Sequence, residues 1–201
     1  MVFDSGHTPI KLARLQVGLA GYTPVRATGS AMNETSLNIL RRHFKEATQE
    51  LLDHYKFEAH PVAERESIIE LVSTLGFGAE GIAGAIALCT SSRCAKYMVK
   101  TIEGKHEHDW LGELSNQLLG RVKRRLGTHG VTFSMGIPVL FKGERIALAR
   151  SLDLTRSIQL TFETPEGLIE AWLDFKTSPN IELSPEPIQN EAPSEGEILL
   201  F

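Results

Sequence analysis

The stretch from residue 109 to residue 126, DWLGELSNQLLGRVKRRL, predicts a single amphipathic α-helix around which the rest of the chain must fold. An α-helix turns by roughly 100° per residue, so side chains three or four positions apart share a side. Five apolar residues follow this spacing and predict a buried side: Leu111, Leu114, Leu118, Val122 and Leu126. Glu113, Asn116 and Gly120 fall on the opposite side. The helix would therefore present an acid, an amide and a bare backbone position to solvent or to a partner.

Composition sets the class of protein that can carry this helix. The chain has 201 residues, of which 42% are hydrophobic and 23% charged, as in an ordinary globular protein. The formal net charge is −4, so the chain as a whole has no positive potential to attract a polyanion. Neither nucleic acid nor an anionic membrane surface is therefore expected as a partner. No apolar run approaches the roughly 18–20 residues of a membrane span.

Changes in composition along the chain predict three regions. Residues 1–32 contain scattered glycines and are predicted to be a partly ordered N-terminal extension. Residues 33–177 are predicted to form the folded domain. Residues 178–201 are rich in proline and glutamate and are predicted to be a largely disordered acidic tail. The tail ends in the apolar residues 198–201, which either tuck onto the domain or dock on a partner.

Within the domain, the hydrophobic patterns predict helices first and an antiparallel sheet later in the chain. Asn33 is the expected N-cap of a helix that reaches Tyr55, and a short helix capped by Thr90 or Ser91 is expected to run to Met98. A turn is predicted at residues 76–78. Strands are predicted at residues 57–66 (an edge strand), 67–75, 79–89, 131–134, 139–141, 146–150, 157–162 and 168–175. The fold class is therefore α+β, with an antiparallel β-sheet packed against two long α-helices.

The two cysteines, Cys89 and Cys94, are predicted to be a thiol at a strand end and a thiol in the following helix. A disulfide between them is the alternative, but two buried free thiols in a reducing cytoplasm fit this spacing better. A structural zinc site needs about four ligands, and the chain has no second cysteine pair.

The polar side of helix 109–126 does not by itself define a site. A carboxylate and a carboxamide three residues apart share a helix face, but such pairs are common on solvated surfaces. His106, Glu107, His108 and Asp109 raise the alternative of a metal site, although two histidines two positions apart point away from each other on a helix. Basic residues near the helix end, including Lys123 and Arg124, also suit the negative end of the helix dipole without any partner.

The order of residues and elements resembles the CheC/CheX/FliY family of chemotaxis phosphatases, and CheX in particular. The resemblance is carried by Asp109, Glu113, Asn116 and Gly120 at their spacing, and by the order of elements over residues 33–176. The segment 136–139 with a nearby glycine also agrees. Arg121 departs from the family pattern, where asparagine is expected, and Gln117 stands where an apolar or small residue is common.

This resemblance implies a cytoplasmic phosphatase in two-component signalling that acts on a phosphorylated CheY-like receiver domain. It implies that Asn116 orients the attacking water and that Glu113 pairs with a lysine of the receiver. Asp109, Gln117, Gly120, Lys123 and Arg124 are then expected to contact the partner. No cofactor or metal is expected on this chain, because Mg²⁺ would belong to the receiver. A homodimer is also expected, and a non-catalytic receiver-binding or flagellar-switch-type module is the alternative function.

Overall fold

The computed structural model of the chain describes residues 32–100, 106–148, 157–178 and 181–186, apart from the side chain of His108. Most of the predicted N-terminal extension, and the tail from residue 187 with its apolar end, lie outside the described residues. None of the helices in the described ranges is both long enough and apolar enough to span a membrane.

Three helices and seven strands make up the described part of the chain. They are, in chain order, α1 (Glu34–His54), β1 (His60–Val62), β2 (Leu71–Ala79), β3 (Ile82–Thr90), α2 (Ser92–Lys100), α3 (Glu107–Gly127), β4 (Ser134–Met135), β5 (Val139–Lys142), β6 (Ser157–Thr164) and β7 (Gly167–Thr177). The strands form one antiparallel sheet in the order β1-β6-β7-β3-β2-β4, and β5 also pairs with β2. The predicted α+β class, with two long helices on an antiparallel sheet, is confirmed.

The helix α1 begins where its sequence predicts, and α3 begins at Glu107, two residues before the predicted start. Asn33 caps α1, because its Oδ1 accepts a hydrogen bond of 2.7 Å from the backbone N–H of Ser36. α1 and α3, each of 21 residues, contact each other and bury their apolar sides in one core with the sheet. The short helix α2 follows Ser91, whose Oγ accepts a hydrogen bond from the N–H of Cys94.

The predicted turn at residues 76–78 is wrong. These residues lie inside β2, and the chain reverses at Glu80 and Gly81, where Ala79 pairs directly with Ile82. Gly81 has φ of 77°, a left-handed conformation that glycine adopts at no steric cost. The strand therefore runs from residue 71 to 79 instead of 67 to 75.

Two further strand predictions are wrong. An alternating apolar pattern indicates which side chains are buried, but it does not show that the backbone pairs with a neighbouring strand. Val131 and Phe133 are buried, but the N–H of Val131 bonds to the carbonyl of Leu126 at the end of α3, and sheet pairing starts only at β4. The predicted strand 146–150 is not observed at residues 146–148, and residues 149–150 lie outside the described residues. Ile146 packs with Ile69 on the sheet side that faces away from the core helices.

Both cysteines are free and buried, as predicted. Burial raises the pKa of the Cys89 thiol far above its ordinary range, and it raises the pKa of Cys94 as well. The thiolate is the reactive form of cysteine, and a raised pKa keeps both side chains protonated. Both are therefore unreactive side chains of the packed interior.

The described chain continues to pack beyond the predicted domain end at residue 177. Leu183 is buried, and its N–H donates to Ser36 Oγ on α1 at 2.9 Å. The carbonyl of Ser184 lies 2.6 Å from Nδ1 of His129, which follows α3. The segment 181–186 therefore belongs to the packed unit, while residues 179–180 and the tail from residue 187 lie outside the described residues.

A buried pair of histidines joins this segment to both long helices. The Nε2 atoms of His43 and His129 are 2.7 Å apart, and both side chains are buried. When both rings are neutral, the Ser184 carbonyl, which can only accept, places the proton of His129 on Nδ1, and its Nε2 then accepts from His43. His43 Nδ1 then carries no proton, and it lies 3.4 Å from Glu46 Oε2, which Arg125 of α3 also binds.

This pair predicts a loss of stability in mild acid. Burial, followed by His129 and Arg42, lowers the pKa of His43 below 6.5, while Glu46 partly opposes the shift. The unfolded chain therefore binds more protons than the folded one. The contribution of His43 to the free energy of unfolding is fully present above pH 6.5 and is lost as pH falls through the lowered pKa. We expect the thermal midpoint to fall between about pH 7.5 and about pH 5.5, and less so in His43→Gln, which keeps a donor but cannot be charged.

The matched control is His60→Gln, because His60 is an exposed histidine on β1. It should retain the full pH dependence of the wild type. Equal slopes of midpoint against pH for the wild type and His43→Gln would contradict the assignment.

Candidate functional site

The candidate site is built on α3, and the buried side of this helix fixes it against the sheet. Every residue of the predicted apolar side is at most 2% exposed: Leu111, Leu114, Leu118, Val122 and Leu126. Trp110 and Ser115 are also buried, and Ser115 Oγ donates a hydrogen bond of 2.7 Å to Ser73 Oγ on β2. A helix anchored along four turns gives its outer side a defined position for recognising a partner.

The outer side of α3 is less exposed than the sequence predicted. Glu113, Asn116 and Gly120 are all half-buried. The flanking elements account for this, because α1 runs along one flank and the segment that leads into β5 covers the other. On that second flank, a Cβ atom at Gly112 would lie 3.4 Å from Leu140 Cδ1. The candidate site is therefore a shallow strip of surface formed by Glu113, Asn116 and Gly120, with α1 on one side and the segment that leads into β5 on the other.

A relay of hydrogen bonds orients the carboxylate of Glu113. Gln117 Nε2 donates to Glu113 Oε1 at 2.9 Å, and the hydroxyl of Tyr55 donates to Gln117 Oε1 at 2.9 Å. Tyr55 is itself fixed by an edge-to-face contact with Trp110, with ring centroids 4.5 Å apart. Gln117, predicted as a partner contact, thus has both ends of its amide engaged within the chain.

Asn116 differs from Gln117 in having no such engagement. Its carboxamide makes no hydrogen bond with any of the described residues, although the residue is half-buried. The amide thus keeps a donor and an acceptor for an incoming group. One turn further on, a Cβ atom at Gly120 would have nothing within 4 Å, so the surface next to Asn116 is open to close approach.

The remaining predicted contact residues lie at the two ends of the strip. Asp109 is exposed in the first turn of α3, Lys123 is half-buried and Arg124 is exposed in the last turn. None of the three forms an ion pair within the described ranges. They extend the strip beyond Glu113 and Asn116 but do not converge on them.

The alternative metal site falls at residues 106–109, where α3 begins. His106 is exposed and occupies the N-cap position without a side-chain capping bond, and the His108 side chain lies outside the description. Among the described residues, no three side chains of histidine, cysteine, aspartate or glutamate come together in a metal-binding group.

Sequence reasoning missed Tyr55. The hydrogen bond that it makes spans 62 positions, from the end of α1 to the middle of α3. Nothing in the local pattern around Tyr55 indicated this contact, since it depends on the antiparallel packing of the two helices.

Comparisons with known proteins agree with this geometry. The family model described as chemotaxis phosphatase CheX matches residues 71–163, from the start of β2 almost to the end of β6, including all of α3. The chain superposes on the chemotaxis protein CheX from Vibrio vulnificus with a TM-score of 0.60 at 18% identity, over 73% of this chain and 99% of that one. The chain is CheX-like.

Two more solved structures share the fold of this CheX-like chain. The chemotaxis protein CheX from Desulfovibrio desulfuricans matches with a TM-score of 0.58 and 18% identity, over 68% of this chain and 99% of that one. A CheX–CheY–BeF3–Mg complex from Borrelia burgdorferi matches with a TM-score of 0.57 and 16% identity, over 67% of this chain and 96% of that one. At these identities the structural matches establish the fold. Among curated proteins, no significant sequence match is found.

Proposed function

We propose that this CheX-like chain is a phosphatase that removes the phosphoryl group from the aspartate of a CheY-like receiver domain. The observation that carries the proposal is the pair on α3: an oriented carboxylate, Glu113, one turn from an unengaged carboxamide, Asn116. The family match and the CheX–CheY complex from Borrelia burgdorferi support a CheY-like partner.

The proposed reaction requires no covalent bond between the enzyme and the phosphoryl group. Water attacks the phosphorus of the aspartyl phosphate, the bond from phosphorus to the aspartyl oxygen breaks, and the carboxylate leaves with the electron pair. The water proton leaves to solvent or to the released phosphate. Because the leaving group is already good, catalysis consists largely of placing the water in line and balancing charge on the phosphoryl oxygens. A free amide such as that of Asn116 suits this task, since its oxygen accepts from the water and its nitrogen donates.

Glu113 has a separate role in the proposal. Gln117 occupies Oε1 of this carboxylate, while Oε2 accepts no hydrogen bond from the described residues. The second oxygen is therefore available to a cation on the partner, which we propose to be the lysine of the receiver site. Such a charge pair would fix the register in which Asn116 enters. Mg²⁺ belongs to the receiver in this scheme, and this chain supplies no ligand to it.

The experiment that tests the function is phosphate release from a panel of CheY-like receivers, each phosphorylated with a small-molecule phosphodonor. The wild-type chain should speed release from at least one receiver. If no receiver loses phosphate faster in its presence, the phosphatase proposal fails. Binding of a receiver without faster release would favour the alternative, a non-catalytic receiver-binding or flagellar-switch-type module.

We propose a reducing cytoplasm as the location of the chain. Two buried free thiols, Cys89 and Cys94, support this placement, because disulfides are rare in that compartment. It is also the compartment in which an intracellular receiver substrate would be met.

A homodimer is proposed at the exposed edge of the sheet. Val139, Leu140 and Phe141 of β5 are 51%, 37% and 37% exposed, and Ile137 just before them is 83% exposed. Among the described strands, β5 pairs only with β2, so its other edge offers unpaired backbone groups to a second copy.

Val139→Lys is therefore expected to shift the chain from dimer to monomer in sedimentation equilibrium, because it would put a charge into the apolar contact. Ala63→Lys is the control, since Ala63 is exposed and follows β1 at the opposite edge of the sheet. A monomeric wild type, or a Val139→Lys variant as dimeric as the control, would contradict this interface.

A further inference from the structure

Arg121 on α3 carries a positive charge that no acidic side chain among the described residues neutralises. Its Nε atom is buried without a hydrogen-bond partner, and no ion pair with the described residues engages its guanidinium. The residue as a whole is half-buried, so part of the side chain still reaches solvent. Shielding part of a charged group from water costs free energy unless a partner compensates for it.

The other side chains in the same row of α3 all have partners. Glu113, Gln117, Arg121 and Arg125 follow one another at intervals of four residues along the side that faces α1. Glu113 and Gln117 are joined to Tyr55, and Arg125 binds Glu46 at 2.7 Å and also Glu50. Arg121, between these two groups, has no acid from α1 beside it. A purely structural arginine at this position would be expected to have one.

The position of Arg121 relates it to the open part of the strip. Gly120 precedes it and leaves clear space, and Asn116 lies five residues before it, about 7.5 Å along the helix axis at 1.5 Å per residue. On a helix, Asn116 and Arg121 flank Gly120 on opposite sides. A partner that approaches over Gly120 therefore meets the amide on one side and the guanidinium on the other.

We propose that Arg121 is a partner-recognition residue that binds a carboxylate at the rim of the receiver's phosphorylation site. This inference rests on the proposed function. The chemistry follows from the partner, because a site that holds Mg²⁺ beside a phosphoryl group is built from carboxylates. Arginine is suited to such a rim, since its planar fork can donate two hydrogen bonds to one carboxylate.

The test is steady-state phosphate release from a receiver that the wild type dephosphorylates, with Arg121→Ala, Arg121→Lys and Arg121→Glu. We expect KM to rise about tenfold in Arg121→Ala, more in Arg121→Glu and less in Arg121→Lys, with kcat little changed, because the lost contact holds the partner and not the reacting atoms. The KM of the wild type should also rise more steeply with salt than that of Arg121→Ala.

Two controls separate recognition from folding. Arg41→Ala removes an exposed arginine from α1 and should leave KM unchanged. Arg121→Met should leave the thermal midpoint of the free chain unchanged or raise it, because it removes a shielded charge that nothing in the described chain pairs.

The possible failures are distinguishable. An unchanged KM in Arg121→Ala, with a wild type that is active, would overturn the role of Arg121 while leaving the proposed phosphatase intact. A lower thermal midpoint for Arg121→Met would also overturn it, because Arg121 would then be structural. A wild type that releases no phosphate from any receiver would remove the proposed function, and this inference with it.

Discussion

Replacing Asn116 by alanine is expected to lower kcat for receiver dephosphorylation by about 100-fold or more, the usual effect of removing one group that positions or stabilises the transition state. Asn116 has no hydrogen-bond partner in the described part of the chain, so its loss should not disturb the fold. Binding of a receiver carrying beryllofluoride as a phosphoryl mimic should change little, because Glu113 and Arg121 remain.

The matched control is Asn38→Ala, which removes an asparagine from the exposed side of α1, where it accepts a hydrogen bond from Arg41. It should keep wild-type turnover and thermal stability. A kcat of Asn116→Ala within about twofold of the wild type would contradict the role of the amide, whatever happens to KM.

Replacing Gly84 by alanine is expected to destabilise the chain by about 3 kcal/mol, at the upper end of the usual cost of overpacking. A Cβ at this position would lie 2.3 Å from the carbonyl oxygen of Asp174 and 2.9 Å from the Cα and Cβ of Phe175. These atoms belong to β7, which pairs with β3 at the centre of the sheet, so a backbone and not a flexible side chain would have to move.

Gly78→Ala is the control for this substitution, because a Cβ there would have nothing within 4 Å. Its effect should be within about 1 kcal/mol of zero, since alanine also restricts the unfolded chain. Urea denaturation of both variants makes the comparison. Equal midpoints would show that β3 and β7 are not packed as closely as described.

Local sequence patterns predicted the elements whose structure depends on near neighbours. The buried side of α3 follows from spacings of three and four residues, and the N-cap of α1 follows from a single asparagine. The pattern could not choose between glycines as turn residues. Gly76 and Gly78 lie within β2, and the turn lies at Glu80 and Gly81, because pairing with β3 sets the register.

The candidate site was predictable only in part, because some of its contacts depend on residues far apart in the chain. The shared face of Glu113 and Asn116 is a property of one helix and could be deduced from spacing. The engagement of Gln117 by Tyr55, and the absence of an acid beside Arg121, depend on the packing of α1 against α3. Spacing within one helix therefore could not tell which polar side chains are held inside the chain and which are left for a partner.

The most direct measurement is the structure of this chain bound to a CheY-like receiver that carries Mg²⁺ and beryllofluoride. We predict that the outer side of α3 faces the receiver's phosphorylation site. The Asn116 amide should lie within hydrogen-bonding distance of the in-line water position, and Glu113 Oε2 should contact the receiver's lysine. A receiver seated on any other surface, with Asn116 left in solvent, would contradict the proposed function.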